Sequence, residues 1–427
     1  MSTEASAAPV AAPGPGPAPA AAAPAAFSSY QKFVVGVLAF LQFTIILDFM
    51  IISPLGAILL RDLHIETKRF GLVVSAYAFS AAVSGLLAAG FADRFDRKKL
   101  LLFFYAGFTL GTLLCGVAPT YEFLLGARIV TGIFGGVIGS ISMAIITDLF
   151  PLSMRGRVMG VVQTSFAASQ VLGLPIGLYL ANTWGWHAPF LMIVGLTVIA
   201  GLLIFAKLKP IDEHLKLQSK RSNPFSHLFH TVANRRYVQT FMTTILLATG
   251  GFMLMPFGSA YTVNNIKIGL DQLPTIYAIT GIGTLISGPY LGRLSDRIGK
   301  YPLFVGGSVL TAAMVLIYTH LGPTPLAWLI ALNVLLFMGI TSRMISATAL
   351  ISAVPDPAHR GSFMSVNSSL QQAAGGVGAF VAGLIVVQTP SGALERYDVL
   401  GYVVMAAMLI VVVMLRPIDR MVKAMRA

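Results

Sequence analysis

From Phe33 onward the chain is a succession of apolar runs of roughly 18–27 residues, each long enough to cross about 30 Å of hydrocarbon as an α-helix. Nothing else in the sequence constrains the fold so strongly, because a spanning segment must satisfy its own backbone where no water is available. Twelve runs can be counted, near 33–60, 70–91, 100–118, 122–149, 158–182, 189–206, 237–261, 272–292, 302–320, 325–351, 362–388 and 397–415. Unbroken runs of this length exclude a membrane barrel, whose strands alternate over about ten residues. Composition agrees: 11% of the 427 residues are charged and mean hydropathy is +0.80, whereas a soluble domain carries about 25% charge. A chain so poor in charge cannot cover a water-facing surface, which excludes a soluble enzyme, a disordered regulator and a nucleic-acid-binding domain. The expectation is an all-α membrane protein with twelve transmembrane helices.

Basic residues set the expected orientation. With the N-terminus in the cytoplasm, 22 of the 29 Lys and Arg residues fall on that side, and five (Arg61, Lys68, Arg69, Lys267 and Arg396) fall outside. Arg128 and Arg343 lie within spans. Basic residues stay where they need not be translocated, so both termini are expected in the cytoplasm and the protein in the cell (inner or plasma) membrane. Net charge of +13 then reflects topology, with no nucleic acid partner. Residues 1–29, rich in Ala and Pro with Glu4 as the only charge, read as a disordered tail. They lack the basic start and apolar centre of a signal peptide. The rest divides into a half over 30–206, a basic linker over 207–236 suited to anionic headgroups, a second half over 237–415 and a basic tail over 416–427.

The halves repeat. Pro54-Leu55-Gly56 matches Pro256-Phe257-Gly258 at an offset of 202, Ala92-Asp93-Arg94 matches Ser295-Asp296-Arg297 at 203, and Arg155-Gly156 matches Arg360-Gly361 at 205. Equivalent segments six spans apart keep one orientation, so two pseudo-symmetric six-helix halves are expected about an axis along the membrane normal, with a cavity between them. Rocking the halves would expose that cavity to each side in turn.

The loop after the second run, Gly90-Phe-Ala-Asp93-Arg94-Phe-Asp96-Arg97-Lys98-Lys99, and the loop after the eighth, Gly292-Arg-Leu-Ser-Asp296-Arg297-Ile-Gly299-Lys300, both resemble the Gly-x-Leu-Ala-Asp-Arg-x-Gly-Arg-Lys signature of the major facilitator superfamily. The resemblance covers about 33 to 415. Gly299 supplies the left-handed backbone freedom that a short interhelix turn needs. In the first copy Ala89 and Asp96 stand where the pattern has Gly. The resemblance implies a cytoplasmic gate of Asp93, Arg94, Arg97, Asp296 and Arg297, with Asp148 as a partner that latches helix ends. A topology anchor alone is the alternative.

Span 4 carries Leu124-x-x-x-Arg128-x-x-x-Gly132 followed by Gly135, Gly136 and Gly139, and resembles the family's proton-antiporter signature. Arg128, Gly132, Gly136 and Gly139 share a helical stripe, so a neighbouring backbone can come close beside the charge. Span 1 carries Leu47-Asp48-Phe49-Met50-Ile51-Ile52-Ser53-Pro54 and resembles the drug–proton antiporter signature. Asp48 is the one acidic residue well inside a span, and its counterpart in the second half is Gly250, while that of Arg128 is near Asn333. Packing common to both halves therefore does not account for these two charges. Low dielectric favours the neutral carboxyl and a nearby guanidinium favours the charged one, so Asp48 is the candidate proton carrier and Arg128 the residue that tunes it. Their helical depths differ by several ångström, which leaves open direct contact or a bridge through water or substrate.

Span 5 contains Ser169-Gln170-Val-Leu-Gly173-Leu174-Pro175-Ile-Gly177, a partial match to the family's antiporter motif and closer to its sugar-efflux branch. Gly173, Pro175 and Gly177, with Gly132 and Gly136, are the expected hinge and packing residues. Candidate cavity residues are Thr44, Tyr77, Gln163, Gln170, Asn333, Asn367 and Gln371, while Phe252, Met253 and Met255 suit an apolar ligand or the core equally. Arg343 would either snorkel inward or form a gating ion pair. Cys115, the only cysteine, excludes an intrachain disulfide and reads as a buried packing residue. No metal site, nucleotide loop or enzyme signature is found, and no cofactor is expected. The leading expectation is a transporter exporting a small organic solute, drug-like or sugar, in exchange for protons. A proton-coupled importer or facilitator is the alternative, and a receptor that kept the carrier fold is less favoured. The family resemblance implies a monomer in the lipid bilayer.

Overall fold

The computed structural model describes residues 27–88, 94–212, 215, 235–355 and 360–425. The first half comprises α1 (Ser29–Ile51), α2 (Gly56–Asp62), α3 (Thr67–Ala88), α4 (Arg97–Gly116), α5 (Tyr121–Leu149), α6 (Leu152–Ala168), α7 (Leu174–Trp184) and α8 (Ala188–Lys207). The second comprises α9 (Arg235–Met253), α10 (Gly258–Asn264), α11 (Leu273–Ile298), α12 (Lys300–Thr319), α13 (Leu326–Ile351), α14 (Arg360–Ile385) and α15 (Tyr397–Ala424). A hairpin, β1 (Val387–Gln388) and β2 (Leu394–Glu395), joins the last two, with Val387 opposite Glu395.

The internal repeat is visible in the breaks. Each half opens with a long helix interrupted at the repeated proline: α1 gives way to α2 at Pro54, and α9 to α10 through a short 3-10 turn at Pro256. Proline has no N–H for the helical ladder and clashes with the preceding turn. A second interruption is confined to the first half, where α6 meets α7 through a π turn over Ser169–Gly173. There the Leu174 N–H reaches back to Ser169 O, widening the coil just before Pro175, which has no N–H for Val171 O.

Among the described residues ten helices are long and apolar enough to cross a membrane. The two remaining runs counted in the sequence fall on 26-residue helices, α11 and α14, which are more polar and are not among these ten. Both lie where the halves meet: α3 packs along α14, and α11 packs against α7 and the π turn. Two boundaries differ from expectation. Helix α15 continues through the expected basic tail to Ala424, because Leu415, Ile418 and Val422 carry a buried stripe past the last apolar run. Of the expected N-terminal tail, residues 1–26 lie outside the described residues, whereas Ser28 caps α1 and Phe27 packs edge-on against Phe150.

Buried apolar side chains form three clusters. At the end away from the chain termini, one core draws on both halves, running from Leu47, Leu55 and Phe70 to Phe257, Tyr261 and Leu400. At the termini end each half has its own core, one around Phe104, Phe108 and Ile141, the other around Phe304, Phe363 and Leu415. Hydrogen bonds that join the halves follow the shared core: Thr67 Oγ1 donates to Val386 O (2.6 Å), Asn182 Nδ2 to Leu270 O (2.7 Å) and Ser259 Oγ to Ser53 O (3.0 Å).

Candidate functional site: a sealed charge pair

Helix α1 carries Asp48 about one turn before its break, and the break shapes what Asp48 can accept. At the end of α1 the Ile52 N–H turns to Met50 O instead of the carbonyl four residues back, Asp48 O. The Arg128 guanidinium takes that carbonyl, Nη1 donating to Asp48 O at 3.3 Å and to the carboxylate Oδ2 at 2.8 Å. Thr112 Oγ1 of α4 donates to Oδ1 at 3.2 Å. Asp48 and Arg128 have 0% of their side-chain surface exposed. Of the two arrangements that the helical depths leave open, a bridge or direct contact, the structure has direct contact.

A charge pair in low dielectric holds only with close geometry and further hydrogen bonds. Here the second contribution comes from Tyr77 of α3, whose ring centroid lies 4.6 Å from Arg128 Cζ, a cation–π distance. Small residues on α5 make room for it. A Cβ at Gly132 would come 2.5 Å from Tyr77 O, one at Gly135 would come 2.7 Å from Tyr77 Oη, and one at Gly136 would come 2.5 Å from Ala81 Cα. On the other side of α1, Gly173 and Gly177 receive Leu47 and Ile51, whose Cδ1 atoms lie 2.6 and 2.7 Å from where a Cβ would be. Arg128 Nε and Nη2 have no acceptor, so the guanidinium keeps donors in reserve. Cys115 is buried one turn from Thr112, with Sγ 3.7 Å from Thr131 Oγ1.

The other candidates are not gathered around this pair. Thr44 turns into the first half, bonded to Leu41 O and to Tyr105 Oη at 3.1 Å. Gln163 is exposed and Gln371 half-buried. Gln170 sits buried in the π turn against Gly281 of α11, its Oε1 without a partner. Asn333 bonds to its own helix at Leu329 O, and Asn367 accepts from Thr244 Oγ1 at 2.7 Å. Phe252 and Met255 border a central void between the halves together with Phe49, Ser53 and Val74. Its volume is about 10 Å³, against about 300–1,000 Å³ for a small-molecule site, so a solute does not fit there in this conformation. Met253 belongs to the core.

At the termini end Arg97 Nε meets Asp148 Oδ2 at 3.0 Å, joining α4 to α5. Asp93 lies outside the described residues, and Arg94 is exposed. The second copy of the loop differs: Asp296 pairs with Lys300 one turn on, and Arg297 is exposed. Arg343 neither snorkels nor finds an acid among the described residues. It is 4% exposed, with its Cζ 5.6 Å from the Phe304 ring centroid and Nε unpartnered. Tyr105, Thr112 and the packing of Phe49 were not legible beforehand, since hydroxyls and aromatics are scattered through every span. Among the described residues no cluster of metal-ligating side chains occurs.

Two like helical halves that share a core at one end only, with a charge pair sealed inside one of them, define a membrane carrier. The chain belongs to the Major Facilitator Superfamily, whose sequence model matches residues 38–378 and again 240–424. It is 27% identical over 350 residues to YceJ of Bacillus subtilis (strain 168), described as an uncharacterized MFS-type transporter, covering 82% of this chain and 88% of that one. YbcL of the same organism, described likewise, is 24% identical over 372 residues, covering 86% and 92%. Among solved structures, the nucleoside transporter NupG superposes with a TM-score of 0.72 at 15% identity over 91% of this chain and 99% of that one. A bacterial homologue of the human lysosomal transporter Spinster, inward-facing and occupied, gives 0.68 at 15% identity over 93% and 97%. These likenesses concern the fold.

Proposed function

We propose that the protein exports a small organic solute in exchange for protons, by alternating access, with Asp48 carrying the proton and Arg128 setting its affinity. The observation that supports this best is the sealed 2.8 Å contact between them, present in one half and without counterpart at Gly250 and Asn333 of the other. Protonating Asp48 removes the charge that holds the guanidinium. Nη1 of Arg128 then loses its charged acceptor, so a proton and a rearrangement of α1 against α5 become linked. In this reading the termini end is cytoplasmic, the Arg97–Asp148 pair with Asp93 and Arg94 forms the gate of the first half, and Asp296 and Arg297 form that of the second. The chain works as a monomer in the cell membrane without a cofactor. Gln170, Gln371 and Asn333 are the polar groups offered to solute when the halves part, beside the apolar Phe49, Phe252 and Met255.

Purified protein in weakly buffered detergent, screened against candidate drug-like compounds and sugars, should release a proton when a transported compound binds. In vesicles, Asp48→Asn should abolish solute movement driven by a proton gradient. The neutral pair Asp48→Asn/Arg128→Gln guards against a folding artefact, because it leaves no unpaired charge. Gradient-driven transport at the unmodified rate in either variant would remove Asp48 from the mechanism.

A further inference from the structure

Phe49 follows Asp48 in the sequence and points the other way, toward the seam. Its ring lies 5.4 Å from that of Tyr77 and 5.7 Å, edge-on, from that of Phe252 on α9 in the opposite half. Tyr77 in turn covers Arg128. A continuous stack therefore runs from the second half through Phe252, Phe49 and Tyr77 to the guanidinium. Phe49 and Phe252 are half-buried and border the central void, whereas Tyr77, Arg128 and Asp48 have 1%, 0% and 0% exposure. Behind Tyr77 the glycines of α5 leave no room for retreat, as Gly132 and Gly135 show. The ring stays over Arg128 as long as Phe49 backs it, and Phe49 stays in place as long as Phe252 does.

We propose that Phe252, Phe49 and Tyr77 form an aromatic plug that lets water reach the Asp48–Arg128 pair only when the halves separate at the seam. With the halves together, the pair is dry and Asp48 exchanges no proton. When Phe252 withdraws, Phe49 gains free volume, Tyr77 loses its support and a water path opens from the void to the carboxylate. The groups facing Asp48 are Arg128 of α5 and Thr112 of α4, with Tyr77 of α3 over the guanidinium and Cys115 of α4 beside Thr131. Gating of this kind prevents a proton leak without solute. The role of the plug in coupling rests on the assignment of Asp48 above; the control of water access does not.

The sole cysteine is a native reporter of that access, being buried one turn from Thr112. Full-length protein in lipid vesicles is treated with iodoacetamide, and alkylation of Cys115 is followed over time by mass spectrometry. Phe49→Ala and Phe252→Ala should speed alkylation about tenfold or more, since the rate tracks the population of open forms. Phe49→Leu and Phe252→Leu, which keep most of the bulk, should restore slow labelling. Leu202→Ala, on the 64% exposed outer side of α8, should label as the unmodified protein does. Unmodified rates in both alanine variants would overturn the plug, and so would an acceleration shared by Leu202→Ala or unrelieved by leucine. A second arm separates the two ideas: vesicles loaded with a pH dye should leak protons with Phe49→Ala and stop leaking with Asp48→Asn added. Faster alkylation together with a leak that survives Asp48→Asn would keep the plug and discard Asp48 as the proton carrier.

Discussion

Arg128 has no exposed surface and two nitrogens without acceptors, so the Asp48 carboxylate and the Tyr77 ring hold nearly all of its compensation. Removing one partner of such a pair typically costs about 3–5 kcal/mol, whereas removing both charges together is far milder. Arg128→Met should therefore lower the unfolding temperature in detergent markedly, and Asp48→Asn/Arg128→Gln should recover most of the loss; equal losses in both would mean that the pair is not what stabilises this region. The glycines beside it make a sharper contrast. A methyl at Gly136 would sit 2.5 Å from Ala81 Cα, while nothing lies within 4 Å of one at Gly139. Overpacking against backbone costs about 1–3 kcal/mol, so Gly136→Ala should destabilise α3 against α5 and Gly139→Ala should not, although both share the stripe read from the sequence. Asp48 and Arg128 were legible because a charge in an apolar run has no ordinary reason to be there. Their contact was not, since depth counted along straight helices ignores tilt and the carbonyl released where α1 ends.

Elements show a similar division between what the chain announces and what only packing decides. Asp96, where the superfamily pattern has glycine, caps α4 by accepting from the Lys99 N–H at 2.9 Å, and its other oxygen accepts from the Ile211 N–H at 3.1 Å. Arg97 N–H donates to Ile211 O at 3.0 Å, and Leu208 and Ile211 are buried in the core of the first half. The start of the segment read as a basic linker is thus fastened to the loop that precedes α4. Asp96→Gly, which restores the family residue, should loosen residues 208–211, seen as faster amide hydrogen exchange there and in the first turn of α4. A cap change to glycine costs only a few tenths of a kcal/mol, so an effect confined to α4, with 208–211 still protected, would show that the carboxylate does not fasten the segment. The departure from the pattern was visible in the sequence, but its purpose was not, because the partner is a backbone N–H more than a hundred residues away. Spans were legible from hydropathy, and least so for α11 and α14, whose serines, threonines and glutamines dilute the apolar run.

For the molecule as a whole, the distribution of apolar contact states which way the halves are closed. One core binds both halves at the end away from the termini, and separate cores serve them at the other, so separating the termini ends disrupts neither of the two smaller cores. Opening the other end must break the shared core together with the bonds from Thr67 to Val386, Asn182 to Leu270 and Ser259 to Ser53. A hydrogen bond of this kind contributes about 1 kcal/mol net, roughly a fivefold bias each. Thr67→Val keeps the volume of the side chain while removing its donor; with Asn182→Leu and Ser259→Ala added, the population open at that end should rise by about a hundredfold if the three contributions add. Spin labels at Glu122→Cys and Glu395→Cys, at that end of opposite halves, would report the change as a second, longer distance in pulsed dipolar spectra. A distribution unchanged from that of the labelled parent would mean that apolar packing alone holds the end shut. The barrier to alternation would then lie in the side chains around Phe70 and Phe257, whose rings meet across the seam at 5.6 Å, and Phe70→Ala would be the variant that opens it.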